Sequence, residues 1–237
     1  MKKTVLITGG TRGIGKALAL KFLNEGYNVA VTYLNSDNSA KELYNKGVYT
    51  FKADVSNHST AKTVIEEVFN RFGALNVLIN NAGIAPKQKL LLDVTESEFD
   101  SVVNVNLKGV FNYSKFAVEK MLSTGGVICN VSSVQGLVGG SCEVAYSTTK
   151  AGVIGFTRAL ADELSESDIS VFSVAPTLTD TDMNAHLSNE EKLEFLNVSG
   201  IESVPTAESV ANNIYTLILN DIKYRGKTVD LTVYDKK

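Results

Sequence analysis

The 237-residue chain has no tryptophan, three prolines, two cysteines and two histidines. Cys129 and Cys142 do not form a CxxC pair, so neither a disulfide framework nor a thiolate zinc site organises the fold. His58 and His186 are well separated and read as surface residues, so no metal is expected. Basic runs are absent as well. The 23 Lys and Arg against 26 Asp and Glu leave a net charge of -3, which offers nucleic acid no footprint. Met1-Lys2-Lys3 passes at once into Thr4-Val5-Leu6-Ile7-Thr8 and then glycine, an apolar stretch too short for a leader core or a membrane span. A cytoplasmic chain with no membrane or nucleic-acid partner is the expectation.

What is present is enough apolar material, 44%, for a buried core. Short β-branched runs alternate with longer segments of helical period, which predicts a parallel sheet covered by helices. The predicted strands are 4–8, 28–33, 48–52, 77–80, 127–131, 169–174 and 228–231. Their nearly unbroken apolar character suits strands buried on both faces. Between them Ile14, Leu18 and Phe22 share a helical face, as do Val64, Val68 and Phe72, and Val153, Phe156, Leu160 and Leu164. Gly26 and Gly73 stand where helices should stop. No repeat or long linker divides the chain, so residues 1–237 are expected to form one α/β domain. It would be a Rossmann-like doubly wound sheet of about seven parallel strands with helices on both faces. Its ligand crevice would lie beyond the carboxyl ends of the strands.

Immediately after the first strand comes Thr8-Gly9-Gly10-Thr11-Arg12-Gly13-Ile14-Gly15, opening the first helix. Glycines at 9, 13 and 15 allow a tight turn and close approach of backbone to a pyrophosphate, while the helix N-terminus offers unpaired N–H groups. A nucleotide fold that prefers NAD carries an acid near the end of its second strand. Here Tyr33 holds that position, and Arg12, Asn35 and Ser36 could receive a 2'-phosphate. NADP(H) is therefore favoured over NAD(H). In the competing arrangement Arg12 packs over the adenine and Asp37 reaches the ribose, although Asp37 reads better as a helix cap.

The TGxxxGxG spacing, Asn80-Asn81-Ala82-Gly83 after the fourth strand, Ser133 after the fifth and Tyr146-Ser147-Thr148-Thr149-Lys150 opening a helix come in one order. In that order and spacing the chain resembles the short-chain dehydrogenase/reductase family over nearly its whole length. Tyr146 and Lys150, four apart on one helical face, can shuttle a proton if the ammonium stabilises the phenolate. The resemblance implies that Ser133 bonds the substrate oxygen and that Asn106 supports a water relay to the lysine. It also implies that Asp54 and Val55 meet the adenine, with helix capping as the other role of Asp54, and that Asn81, Ala82 and Gly83 line the adenine-ribose side. Pro176, Thr179 and Thr181 would lie near the nicotinamide. Thr177 stands where the family has glycine, and Thr232-Val233-Tyr234-Asp235 replaces its usual C-terminal turn. A homodimer or homotetramer is implied.

Residues 184–205 read as a substrate lid with Leu187, Leu193, Phe195 and Leu196 as apolar lining. The pattern is most similar to 3-oxoacyl-acyl-carrier-protein reductases, acting on a small or carrier-bound carbonyl, with Lys87, Lys89 and Lys108 as candidate carrier contacts. The Ser141-Cys142-Glu143-Val144 run also resembles reductases of the 5-aminopentanone modification on translation elongation factor P. There Glu143 could receive an amine, unless it only answers the helix dipole. A regulatory NADP-binding protein without catalysis is the reading from another class.

Overall fold

The computed structural model describes residues 2–234 except His186 and Gly200. The surface reading of His186 and the C-terminal Asp235 therefore lie outside the described residues. Seven strands form one parallel sheet in the order β3-β2-β1-β4-β5-β6-β7. They are β1 (Thr4–Ile7), β2 (Asn28–Tyr33), β3 (Tyr49–Lys52), β4 (Val77–Asn80), β5 (Gly126–Val131), β6 (Ile169–Ala175) and β7 (Thr228–Asp230). Each lies within a residue or so of its predicted span. Thr8 falls outside β1 because its hydroxyl accepts the backbone N–H groups of Asn81 and Ala82.

The alternation of side chains along β1 builds two cores. Val5 and Ile7 point to one face, where α1 (Gly13–Asn24) packs beside α9 (Ala207–Leu219) through Leu18, Phe22, Val210 and Ile214. Leu6 points to the other, against α3 (His58–Phe72) and α5 (Gly109–Met121) through Val64, Ile65, Val68 and Tyr113. Apolar side chains on both faces explain why the strands show no polar alternation. α2 (Asp37–Asn45) and α4 (Glu96–Val103) precede a π-helical turn, Asn104–Lys108, and then comes α5. The short α6 (Gln135–Val138) leads to α7 (Val144–Glu163), and α8 (Asn189–Ser199) lies before α9. Gly73 ends α3 with φ 75°, as its position after Phe72 predicts.

Strand order reverses between β1 and β4, so the loops after these two strands diverge and leave a crevice at their carboxyl ends. Among the described residues no helix is long and apolar enough to cross a membrane. None of their His, Cys, Asp and Glu side chains form a group of three or more able to hold a metal.

Candidate active site

The crevice is a cleft of about 780 Å³. Its first wall is the loop between β1 and α1. Gly9 and Gly13 have φ of 64° and 49°, a region L side chains rarely enter. A methyl group on Gly15 would lie 2.3 Å from the Gly9 carbonyl oxygen and 2.6 Å from the Asn81 amide nitrogen. The loop is thus curled onto its own helix, with Thr11, Arg12, Gly13, Ile14 and Gly15 turned to the cleft. Asn81 ties it down by donating to the carbonyls of Thr8 (2.9 Å) and Gly9 (3.1 Å). Gly10, which the sequence reading left without a role, has Val31 where its side chain would be, and so sets the loop against β2.

The second wall comes from the ends of β2 and β3. Tyr33, Asn35, Ser36, Asp54 and Val55 all face the cleft. Arg12, exposed at the first turn of α1, has no acidic partner among the described residues. Asp37 does not line the cleft and is held by Lys52 at 3.0 Å, so among the described residues no carboxylate of the segment between β2 and α2 faces the cleft. It opens α2 without acting as its cap residue, which is Ser36. Asp54 does not cap α3 either: Asn57 does, accepting from Thr60, while Asp54 accepts from the backbone and hydroxyl of Ser56.

The third wall holds the titratable groups. Tyr146 and Lys150 sit one turn apart on α7, and Ser133 follows β5; all three line the cleft. Ser132, the alternative serine, donates instead to the Lys150 carbonyl at 2.8 Å. Lys150 is buried, its ammonium donating to the Val131 carbonyl at 2.9 Å and lying 5.6 Å from the Tyr146 ring centroid. Burial pushes its pKa down from 10.5 to about 8. Burial pushes the Tyr146 phenol up to about 12; Ser133 works against that shift and the Glu143 carboxylate adds to it. Loss of solvent penalises the charged form of both groups.

Gly83 lies beside the lysine and not only along the adenine side: a methyl group there would sit 3.5 Å from the ammonium. Asn106 does not line the cleft. It is buried in the π-helical turn, accepting from Ile84 N–H (2.8 Å) and donating to Ile84 O (2.9 Å) and Thr149 Oγ1 (3.2 Å). Its side chain ties the segment beyond Gly83 to Thr149 of α7.

Pro176, Thr179 and Thr181 face the cleft, and Thr181 approaches Gly13 closely. Thr177, buried in the cleft wall, does not adopt a positive φ. Of the proposed lid lining, Leu187 and Phe195 reach the cleft, whereas Leu193 is 58% exposed and Leu196 is not part of the wall. Lys89 is paired with Glu98 at 2.5 Å, while Lys87 and Lys108 are exposed. Two groups the sequence reading missed also line the cleft: Gln135, bonded to Ser133, and Gln88, which donates to Glu143 at 3.1 Å.

The glycine cradle, the guanidinium of Arg12 and a cleft face after β2 that carries no carboxylate among the described residues suit a dinucleotide carrying a 2'-phosphate. Known proteins agree with this architecture. The family model described as short chain dehydrogenase matches residues 3–192. The 3-oxoacyl-[acyl-carrier-protein] reductase FabG of Staphylococcus aureus is 41% identical over 97% of this chain and 96% of its own. Among solved structures, ElxO with NADP bound is 31% identical with a TM-score of 0.89, covering 97% of both chains. Levodione reductase is 29% identical with a TM-score of 0.90, covering 99% of this chain and 96% of its own.

Proposed function

As a member of the short-chain dehydrogenase family the chain is an oxidoreductase of carbonyl and hydroxyl groups, and we propose that it is an NADPH-dependent ketone reductase of the 3-oxoacyl-thioester class. The observation that carries this reading is the meeting of Tyr146, Ser133 and Lys150 in the same cleft as the glycine loop and the unpaired Arg12. The bound nicotinamide supplies hydride to the carbonyl carbon. Tyr146 donates a proton to the carbonyl oxygen, and a phenol held at about 12 is in its protonated form at neutral pH. Ser133 steadies the same oxygen with a hydrogen bond. Lys150 stays mostly charged below its value of about 8 and favours the phenolate left behind. Arg12, with Asn35 and Ser36 beside it on the cleft wall, would hold the 2'-phosphate, and Asp54 and Val55 would meet the adenine.

In this reading residues 1–237 work as one unit with 184–205 as its lid. Exposed Leu90, Leu91 and Leu92 support association into a homodimer or homotetramer, and two free thiols suit a cytoplasmic setting. The similarity to FabG of Staphylococcus aureus supports the carrier-bound 3-oxoacyl substrate. One observation favours a second reading, an amino-ketone. Glu143 is the residue before α7 yet makes no capping bond with its side chain, and its carboxylate lines the cleft with the neutral Gln88 as partner. NADPH consumption with acetoacetyl thioesters against amino-ketones separates the two. Preference for the thioester supports the first reading, and preference for the amine reverses it. Tight NADPH binding with no turnover on any ketone makes the chain a regulatory binder.

A further inference from the structure

Ser133 has one hydroxyl proton, and both Tyr146 and Gln135 lie within hydrogen-bond reach of its oxygen. Its Oγ donates to Gln135 Oε1 at 2.6 Å and accepts from the Gln135 backbone N–H at 3.2 Å. Gln135 is held in place from both sides. Next to it, a methyl group on Gly136 would lie 2.7 Å from the Lys150 backbone, so α6 is pressed against α7. A methyl group on Gly140 would lie 3.1 Å from the Gln135 side chain.

A serine that gives its proton to Gln135 cannot give it to a ketone. An amide can resolve this, since one edge accepts and the other donates. Turned over, it offers N–H to Ser133 Oγ, which then releases its own proton toward the substrate. We propose that Gln135 is a positioning residue whose side-chain amide sets the direction of the Ser133 proton. The step breaks no covalent bond; one hydrogen bond is exchanged for another. A hydrocarbon at 135 would leave the hydroxyl unoriented, and a carboxylate would hold its proton permanently.

The proposal rests on the reading that Ser133 bonds the substrate oxygen, and the test separates the two. Gln135→Glu and Gln135→Leu are compared by kcat for ketone reduction from pH 8 to pH 5.5, each in the wild-type and Ser133→Ala backgrounds. The titratable groups near residue 135, namely Glu143, Tyr146 and Lys150, are present in every variant, and the Ser133→Ala background carries any effect of theirs that does not pass through Ser133. Gln135→Leu is expected to lower kcat a few-fold at every pH, with KM little changed. Gln135→Glu is expected to lose about tenfold at pH 8 and to recover as the acid gains a proton and can donate. The Glu-to-Leu ratio thus rises on acidification, and stays flat when Ser133 is alanine. A flat ratio with Ser133 present overturns the proposal. An equal rise in both backgrounds also overturns it, since the charge would then act on Tyr146 directly. Full activity of Ser133→Ala alone instead overturns the role given to Ser133.

Discussion

Replacing Lys150 with methionine should make the protein more stable while abolishing its activity. The ammonium is buried with no acidic partner among the described residues and one backbone acceptor, Val131 O. A fall from 10.5 to about 8 corresponds to about 3 kcal/mol of cost at neutral pH. Methionine fills similar space without charge and forfeits one hydrogen bond worth about 1 kcal/mol. The net gain is about 2 kcal/mol, or roughly 4–8 °C in Tm for a chain of this size. The sign with pH follows from proton binding. Below pH 8 the lysine is protonated folded and unfolded, and the whole cost is present. Between about 8 and 10.5 the unfolded chain binds the proton and the folded one does not, so wild-type stability rises with pH. Roughly 2 kcal/mol of the difference should be gone by pH 9.5. Thermal melts of wild type and Lys150→Met at pH 7 and pH 9.5, without nucleotide, test this. A variant that melts lower at pH 7, or a difference that does not change with pH, would refute the reasoning.

Arg12→Ala should raise the KM for NADPH about ten- to a hundredfold and leave that for NADH nearly unchanged, because only the former carries the 2'-phosphate; initial rates with both nucleotides check it. Gly15→Ala should cost about 1–3 kcal/mol and weaken nucleotide binding, since its methyl would meet the Gly9 carbonyl oxygen at 2.3 Å; urea unfolding and NADPH fluorescence titration read the two effects. Asn106→Ala should cost about 2–4 kcal/mol by leaving both backbone groups of Ile84 unpaired, measured by the same unfolding experiment.

The parts of the site legible in the sequence are those whose geometry is local. Gly9, Gly13 and Gly15 declare a loop between a strand and a helix, and Tyr146 and Lys150 share a face because they are one turn apart. Strand positions were legible because burial on both faces leaves long apolar runs. The rest depends on contacts between distant segments. Lys52 on β3 claims Asp37, and Glu98 on α4 claims Lys89, so neither charge is available where the sequence alone would place it. Nothing near Asn106 announces a π-helical turn that withdraws its side chain from the cleft. Gln135 is two residues from Ser133, yet its importance depends on α6 folding back against α7. Burial shifts both Lys150 and Tyr146 toward their neutral forms, an effect of surroundings that spacing cannot express.

In the proposed reaction Tyr146 protonates a ketone while nicotinamide delivers hydride. Transfer of deuterium from C4-labelled NADPH to an acetoacetyl thioester, in wild type and Tyr146→Phe, tests it most directly. Labelled hydroxyl product is expected from wild type, with a loss of at least about a hundredfold in Tyr146→Phe and NADPH affinity within about threefold in both. Wild-type rates of deuterium transfer in Tyr146→Phe would contradict it.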